Sequence, residues 1–225
     1  HQSDFQSSHG FVQGICGPAE GLRFWSYWCG CGLDEVSDVY VQDAILARRM
    51  RYLRRSLALL STPENPFVSG YLGHVLTVER LRQWFSEAIF VRLHRDPLSN
   101  TASILHSRQK GANGWFSVFP KECEAVKGAN EYTQVASQVY WLNRRLKGLE
   151  DDEQTIHISY ESLCQNPRIE IQRVVDFCND KGMKLEIKQQ LPRYFDCKVV
   201  HEEDSEDVAA LDQALKELEI KHGSL

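Results

Sequence analysis

Phe90-Val91-Arg92-Leu93-His94-Arg95-Asp96-Pro97-Leu98-Ser99-Asn100-Thr101-Ala102-Ser103-Ile104-Leu105-His106-Ser107-Arg108 reads as an apolar strand that turns sharply into a helix. Arg95 closes the strand, Asp96 stands where an N-cap belongs, and Pro97 stands at the first helical position. A helix N-terminus carries unpaired N–H groups and a partial positive charge, so this turn is a natural place for an anion. The guanidinium of Arg95 suits two phosphate oxygens at once. Ser103, eight residues on and about two helical turns along, adds a hydroxyl. The plainer alternative is an ordinary strand–helix junction in which Arg95 and Asp96 form an ion pair, and local chemistry leaves both readings open.

Outward from this turn, the pattern alternates strands with helices. Residues 1–21 read as loop, with an apolar piece at Phe11–Ile15 and a turn at Gly17-Pro18-Ala19-Glu20-Gly21. An aromatic cluster of Phe24, Trp25, Tyr27 and Trp28 follows. Helical spacing predicts a helix from about Asp34 to Leu60, with Arg48, Arg49, Arg51, Arg54 and Arg55 on a solvated face. Pro66–Gly70 is expected as a short strand, Val78–Phe85 as a helix, and Ala88–Leu93 as a strand apolar on both sides, the mark of a sheet covered by helices. Helices are expected over Pro97–Arg108, Asn130–Leu149 and from Asn166-Pro167 onward, with a strand over Thr155–Tyr160. After an acidic run from His201 to Asp207, a terminal amphipathic helix closes the chain. This order predicts one α/β domain over residues 1–225, a parallel sheet flanked by helices.

Composition narrows the partners. The 225 residues are 42% hydrophobic and 25% charged, ordinary globular material with enough length for a full core. A formal net charge of -5 argues against nucleic acid as the main partner, so an anion site here is a local basic pocket on an acidic body. No apolar run approaches the roughly 20 residues of a membrane span. The seven cysteines are an odd number, and Cys29-Gly30-Cys31 is too tight for the usual metal or redox pair. Reduced structural thiols and a cytoplasmic location are expected, with a secretory-pathway lumen as the alternative if an anchor precedes the chain. Residue 1 is His, so a processed, trimmed or partial product is expected.

Four stretches resemble the nucleotide-binding core of sulfotransferases, of the bacterial and carbohydrate-type branch. Phe90–Arg108 looks like the family's 3′-phosphate-binding strand–turn–helix, which implies that Arg95 and Ser103 hold that phosphate. Ile158-Ser159-Tyr160-Glu161-Ser162-Leu163 with Asn166-Pro167 is similar to the strand-end element whose tyrosine lies near the adenine. The amphipathic Tyr160 ring suits such a base, and a core tyrosine at a strand end is the alternative; Glu161 reads as a structural acid. Arg108, Gly114-Trp115 and Pro120 resemble a stretch bordering the active-site mouth. Pro66-Phe67-Val68-Ser69 resembles the strand before the substrate-side loop. The resemblance implies a P-loop-NTPase-like three-layer α/β fold. It also implies transfer of a sulfuryl group from 3′-phosphoadenosine 5′-phosphosulfate (PAPS) to a hydroxyl of a sugar, lipid or small molecule, leaving 3′,5′-bisphosphoadenosine and requiring no metal.

In several branches a Glu or His serves as general base, which points to Glu20, in a turn near Trp25 and Trp28 whose rings would raise its carboxyl; a plain turn glutamate is the alternative. His74 is a second base candidate, and His94 reads as a strand residue near the phosphate site. Two departures stand out. The Lys/Arg and Ser-Gly-Thr-Thr-like run that cradles the 5′-phosphosulfate does not occur in the sequence, nor does G-x-x-x-x-G-K-[ST]. Gly70-Tyr71 also stands where many relatives have Lys-Asn. Either the 5′ loop is missing from the sequence or the member is specialised. The rival reading is therefore a non-catalytic nucleotide-binding or scaffold protein that keeps the fold. A small-molecule kinase of the P-loop type is disfavoured by the missing Walker lysine.

Overall fold

The computed structural model describes residues 7–8, 11–12, 22–29, 43–110, 115–149, 152–197, 199–200 and 205–225. Near the start, β1 (Ser7–Ser8) and β2 (Phe11–Val12) pair antiparallel as a minimal ribbon. Helix α1 (Leu22–Cys29) then packs against α2 (Asp43–Leu60). On α2, Leu46, Met50 and Leu53 recur at helical spacing and are buried with Trp25 and Tyr71. Full burial of each of these aliphatic side chains contributes about 1.5–3 kcal/mol. The opposite face of α2 carries the arginines, and Arg48, Arg51, Arg54 and Arg55 are exposed as their spacing predicts. Arg49 is partly buried, donating to the Tyr27 carbonyl at 2.9 Å and lying over its ring.

The next helix, α3 (His74–Trp84), starts four residues before the expected Val78. Its N-cap is Gly73, in ordinary right-handed backbone at φ −61°. Glycine is needed there for space, because a Cβ would lie 2.5 Å from the Tyr71 ring. Strand β3 (Phe90–His94) leads through Arg95 and Asp96 into α4 (Pro97–Gln109). A 3₁₀ turn over Lys121–Val126 precedes α5 (Glu131–Leu146), which is capped by the Asn130 side chain accepting from the Thr133 amide. Strand β4 (Thr155–Ser159) follows and runs straight into α6 (Tyr160–Gln165) and α7 (Pro167–Asp180). The last helix, α8 (Glu206–His222), is capped by Ser205.

The architecture is α/β, with β3 and β4 forming a two-stranded parallel sheet flanked by helices. The main helical core joins α4, α5 and α8. Val135 meets Leu105 and Leu211, while Ala136 and Tyr140 meet Ala214 and Leu215. Small residues on both sides let α5 and α8 approach closely. Tyr140 is fully buried, and its hydroxyl donates to the Gly223 carbonyl at 2.6 Å.

Two expectations are corrected. Pro66–Gly70 is not a strand: the only pairing nearby is a bridge between Thr62 and Asn65, and Pro66 has no N–H to offer a ladder. Strand β3 is also less covered than its composition predicts, with Val91 and Leu93 each about half exposed. Among the described residues it has a neighbour, β4, on one edge, and its other side borders an open groove.

Candidate active site

The register of the sheet builds the centre of the site. His94 pairs with Ser159, so the next residue of each strand, Arg95 and Tyr160, emerges at the same carboxyl edge. Binding sites of open α/β sheets lie outside this edge. The Arg95 guanidinium lies over the Tyr160 ring, 4.7 Å from its centroid, a cation–π contact between two residues 65 positions apart.

Glu161 holds the two strand ends together. One carboxylate oxygen accepts from the Asp96 amide at 3.0 Å, and the other accepts from the Ser159 hydroxyl at 2.7 Å. Burial works to raise this carboxyl, but those two donors and the nearby Arg95 charge hold it below the ordinary range. The structural role expected for Glu161 is thus the one it occupies. Ser159 in turn caps α6 by accepting from the Ser162 amide.

The start of α4 departs from the anion site its sequence predicts. The Asp96 carboxylate accepts from the Ser99 amide at 2.7 Å, Pro97 has no N–H, and the Asp96 amide is taken by Glu161. Two carboxylates therefore sit where a phosphate would find unpaired amides. The positive charge at this turn is that of Arg95. Ser103 stands exposed on α4, two turns along.

Residues 183–197 and 199–200 return over the same edge without regular secondary structure. The Phe195 amide donates to the Cys164 carbonyl at 2.7 Å, and the Val200 amide donates to the Ser99 hydroxyl at 3.1 Å. Phe195 is thereby tied to α6 and Val200 to α4. These contacts run through backbone amides, which no side-chain pattern in the sequence marks.

Beside β3 lies a groove of about 650 Å³. Its wall is mostly apolar, including Phe67, Tyr71, Val78, Val91 and Leu93. Ser69 and His74 bring polar atoms to it. The Trp25 indole N–H donates to Ser69 Oγ at 2.8 Å, and Ser69 Oγ lies 2.8 Å from His74 Nε2. The Tyr71 amide also donates to Ser69 Oγ, at 3.5 Å, and with both hydroxyl lone pairs engaged the serine proton is directed at the imidazole. The ring sits edge-on to Trp25, and burial lowers its pKa to about 4, so it is a neutral acceptor near pH 7.

Arg108 serves a second anchor. Its fork donates to Gln134 Oε1 and Gln138 Oε1, each at 3.1 Å, and its guanidinium stacks on Trp115. Gln138 is fully buried and donates to the carbonyls of Phe116 and Val118. This network fixes the Trp115–Pro120 stretch on α5. Glu20 lies outside the described residues.

A model described as the sulfotransferase family matches residues 35–181, close to two thirds of the chain and including Arg95, Ser103, His74 and Tyr160. The chain belongs to the sulfotransferase family. This is a family of PAPS-dependent transferases with a P-loop-like fold. No curated protein and no solved structure matched the chain. For this sulfotransferase, the match spans β3, the Arg95 turn, α4 and β4, the elements that build the carboxyl edge of the sheet. Its membership implies an acceptor substrate, and none of the described helices is long and apolar enough to cross a membrane.

Proposed function

We propose that this chain binds the 3′-phosphoadenosine half of PAPS at the carboxyl edge of β3 and β4 and uses it to sulfate an acceptor hydroxyl. The observation that carries the reading is the Arg95–Tyr160 pair, a fixed cation against an aromatic face at adjoining strand ends. Those two side chains fit the group: a guanidinium for the 3′-phosphate and a ring beside it for the adenine. Ser103, exposed on α4, supplies a hydroxyl to the same phosphate. Bound PAPS supplies the sulfuryl group. The chain's own part is to hold the nucleotide and to receive the acceptor's proton. Glu20 is the proposed base by its place in the sequence. Among the described residues, the neutral His74 imidazole is the alternative acceptor of that proton. A small-molecule or carbohydrate hydroxyl is the acceptor class. The thiols of Cys123, Cys164, Cys178 and Cys197 are free, which supports a cytoplasmic setting.

A second reading, a nucleotide-binding member without transferase activity, is favoured by one feature. Gly70 stands where many relatives carry a lysine, and Tyr71 beside it is a core residue, 6% exposed. Calorimetric titration with 3′,5′-bisphosphoadenosine tests what both readings share. Arg95→Ala is expected to weaken binding roughly 10- to 150-fold, the value of charge-assisted hydrogen bonds to one group. Equal affinity in wild type and variant, or no binding by either, overturns the assignment. Transfer of labelled sulfate from PAPS across acceptor classes then separates enzyme from binder.

A further inference from the structure

Helix α2 carries two stripes offset by two residues, about 200° apart and so on opposite faces. Leu46, Met50, Leu53 and Leu57 pack inward. Arg48, Tyr52, Arg55 and Leu59 repeat the same spacing outward, and all four are exposed. Arg51 and Arg54 flank them and are exposed as well. Five arginines thus stand within the eight residues Arg48–Arg55, and no acidic residue lies between Ala44 and Leu60, in a chain of net charge -5. Among the described residues, no ion pair engages Arg48, Arg51, Arg54 or Arg55. Beyond the arginines, in the last turn of α2, Leu59 and Leu60 are 88% and 74% exposed.

Beside this face, α1 and α2 enclose a cleft of about 380 Å³ whose lining includes Tyr27, Trp28, Arg48, Arg49 and Tyr52. Arg49 is held there by the Tyr27 carbonyl at 2.9 Å and by the Tyr27 ring, 5.4 Å from its centroid. Two guanidinium groups and two phenols around such a cleft suit an oxyanion, a phosphodiester among them.

We propose that the outer face of α2 docks the protein on an anionic phospholipid bilayer, with lipid headgroups at the arginines and with Leu59 and Leu60 entering the boundary between headgroups and acyl chains. Arginines alone would suit any polyanion. The leucines decide the occupant: a soluble polyanion leaves them in water, whereas a bilayer interface takes cations, phenol rings and leucines side by side. The inward stripe stays in the protein core, so the contact is peripheral and needs no unfolding. Binding of this kind is reversible and weakened by salt, and each guanidinium near the surface contributes roughly fivefold to partitioning. The anionic leaflet is the cytoplasmic one, the setting proposed above on other grounds. None of these residues belongs to the nucleotide or proton-accepting groups named above, so the two readings stand or fall separately.

The test is co-sedimentation of the full chain with vesicles of phosphatidylcholine, with and without about 30% phosphatidylserine. At about 0.1 M salt the chain is expected to sediment with the mixed vesicles and little with phosphatidylcholine alone, and to be released by about 0.5 M salt. Combined Arg48→Glu, Arg51→Glu and Arg55→Glu is expected to lower partitioning by more than about 100-fold. Leu59→Ser with Leu60→Ser is expected to lower it severalfold. Thermal unfolding checks that both variants fold, and the wild-type comparison of vesicles and salt decides even if one does not. Equal sedimentation with both vesicle types, or undiminished binding by the folded arginine variant, overturns the charged face. A leucine variant that binds like wild type overturns the insertion on which the choice of a bilayer rests. Retention on heparin without sedimentation by either vesicle overturns the bilayer in favour of a soluble polyanion, and no binding to any of these probes overturns the docking surface altogether.

Discussion

The His74 imidazole makes stability depend on pH in a way that can be worked out. Burial among Trp25, Tyr71 and the groove wall lowers its pKa from 6.5 to about 4. An unfolded chain takes up a proton on this side chain near pH 6.5, whereas the folded chain refuses it until about pH 4. Between those values the unfolded state binds more protons, so stability rises with pH across the window and falls as acid is added. The stabilising effect is complete above pH 6.5 and is lost progressively down to about pH 4. The full shift corresponds to about 3 kcal/mol, and by pH 4.5 about 2.5 kcal/mol of it is gone. That is a large part of the 5–15 kcal/mol typical of a folded domain.

Urea unfolding of wild type and His74→Gln at pH 7.5 and pH 4.5 isolates the contribution, since other titrating groups act on both proteins alike. Wild type is expected to lose about 2.5 kcal/mol more than the variant between the two conditions. His74→Gln should be the less stable protein at pH 7.5, because Ser69 loses a well-placed imidazole partner. An NMR titration following the His74 ring gives the direct measure. A midpoint near 6.5, or equal acid losses in the two proteins, would refute the argument that the imidazole is held neutral by burial.

Gly73→Ala should destabilise by about 1–3 kcal/mol, because the new methyl meets the buried Tyr71 ring at 2.5 Å, whereas Gly70→Ala, with nothing within 4 Å, should be neutral or slightly stabilising; thermal unfolding distinguishes them. Glu161→Gln is expected to cost about 1 kcal/mol at pH 7 and to flatten the acid limb of the stability curve. The wild-type carboxyl is held below its ordinary range, so its stabilisation is present above that range and lost as pH falls through the folded value. Arg108→Lys should cost about 1–3 kcal/mol by denaturant titration, since one ammonium cannot reach both Gln134 and Gln138 in the fork geometry and a partly buried acceptor goes unmet.

What was legible in the sequence follows the range of the forces involved. Asp96-Pro97 marks the start of α4 by local capping chemistry, and the helix runs to Gln109, one residue beyond its predicted end. The pairing of Arg95 with Tyr160 is a matter of strand register across 65 residues, which no local pattern reports. It entered through the family resemblance. Pro66–Gly70 has strand-like composition, but a strand exists through its partner, and the described residues provide none there. Gln138 is the reverse case. Its polar side chain argues for solvent, yet it is fully buried because its amide satisfies two loop carbonyls and receives Arg108. Phe195 and Val200 reach the site through backbone amides, which every sequence possesses, so their position left no mark in the side chains.

In the nucleotide site proposed above, the first turn of α4 leaves the anion largely to one arginine. A helix start that must hold a phosphate by its dipole leaves its amides open. Here Asp96 engages the Ser99 amide and Glu161 the Asp96 amide, and each brings a carboxylate that repels an incoming anion. In exchange, the turn becomes rigid: β3, β4, α4 and α6 are tied by Glu161 and Ser159 at hydrogen-bond distance. Rigidity of this kind costs affinity through repulsion and returns some of it by holding Arg95 in one place against Tyr160, since an ordered cation loses less freedom on binding. The strand-end turn therefore holds Arg95 against Tyr160, and in the nucleotide reading proposed above the anion is met by that side chain rather than by the turn's amides.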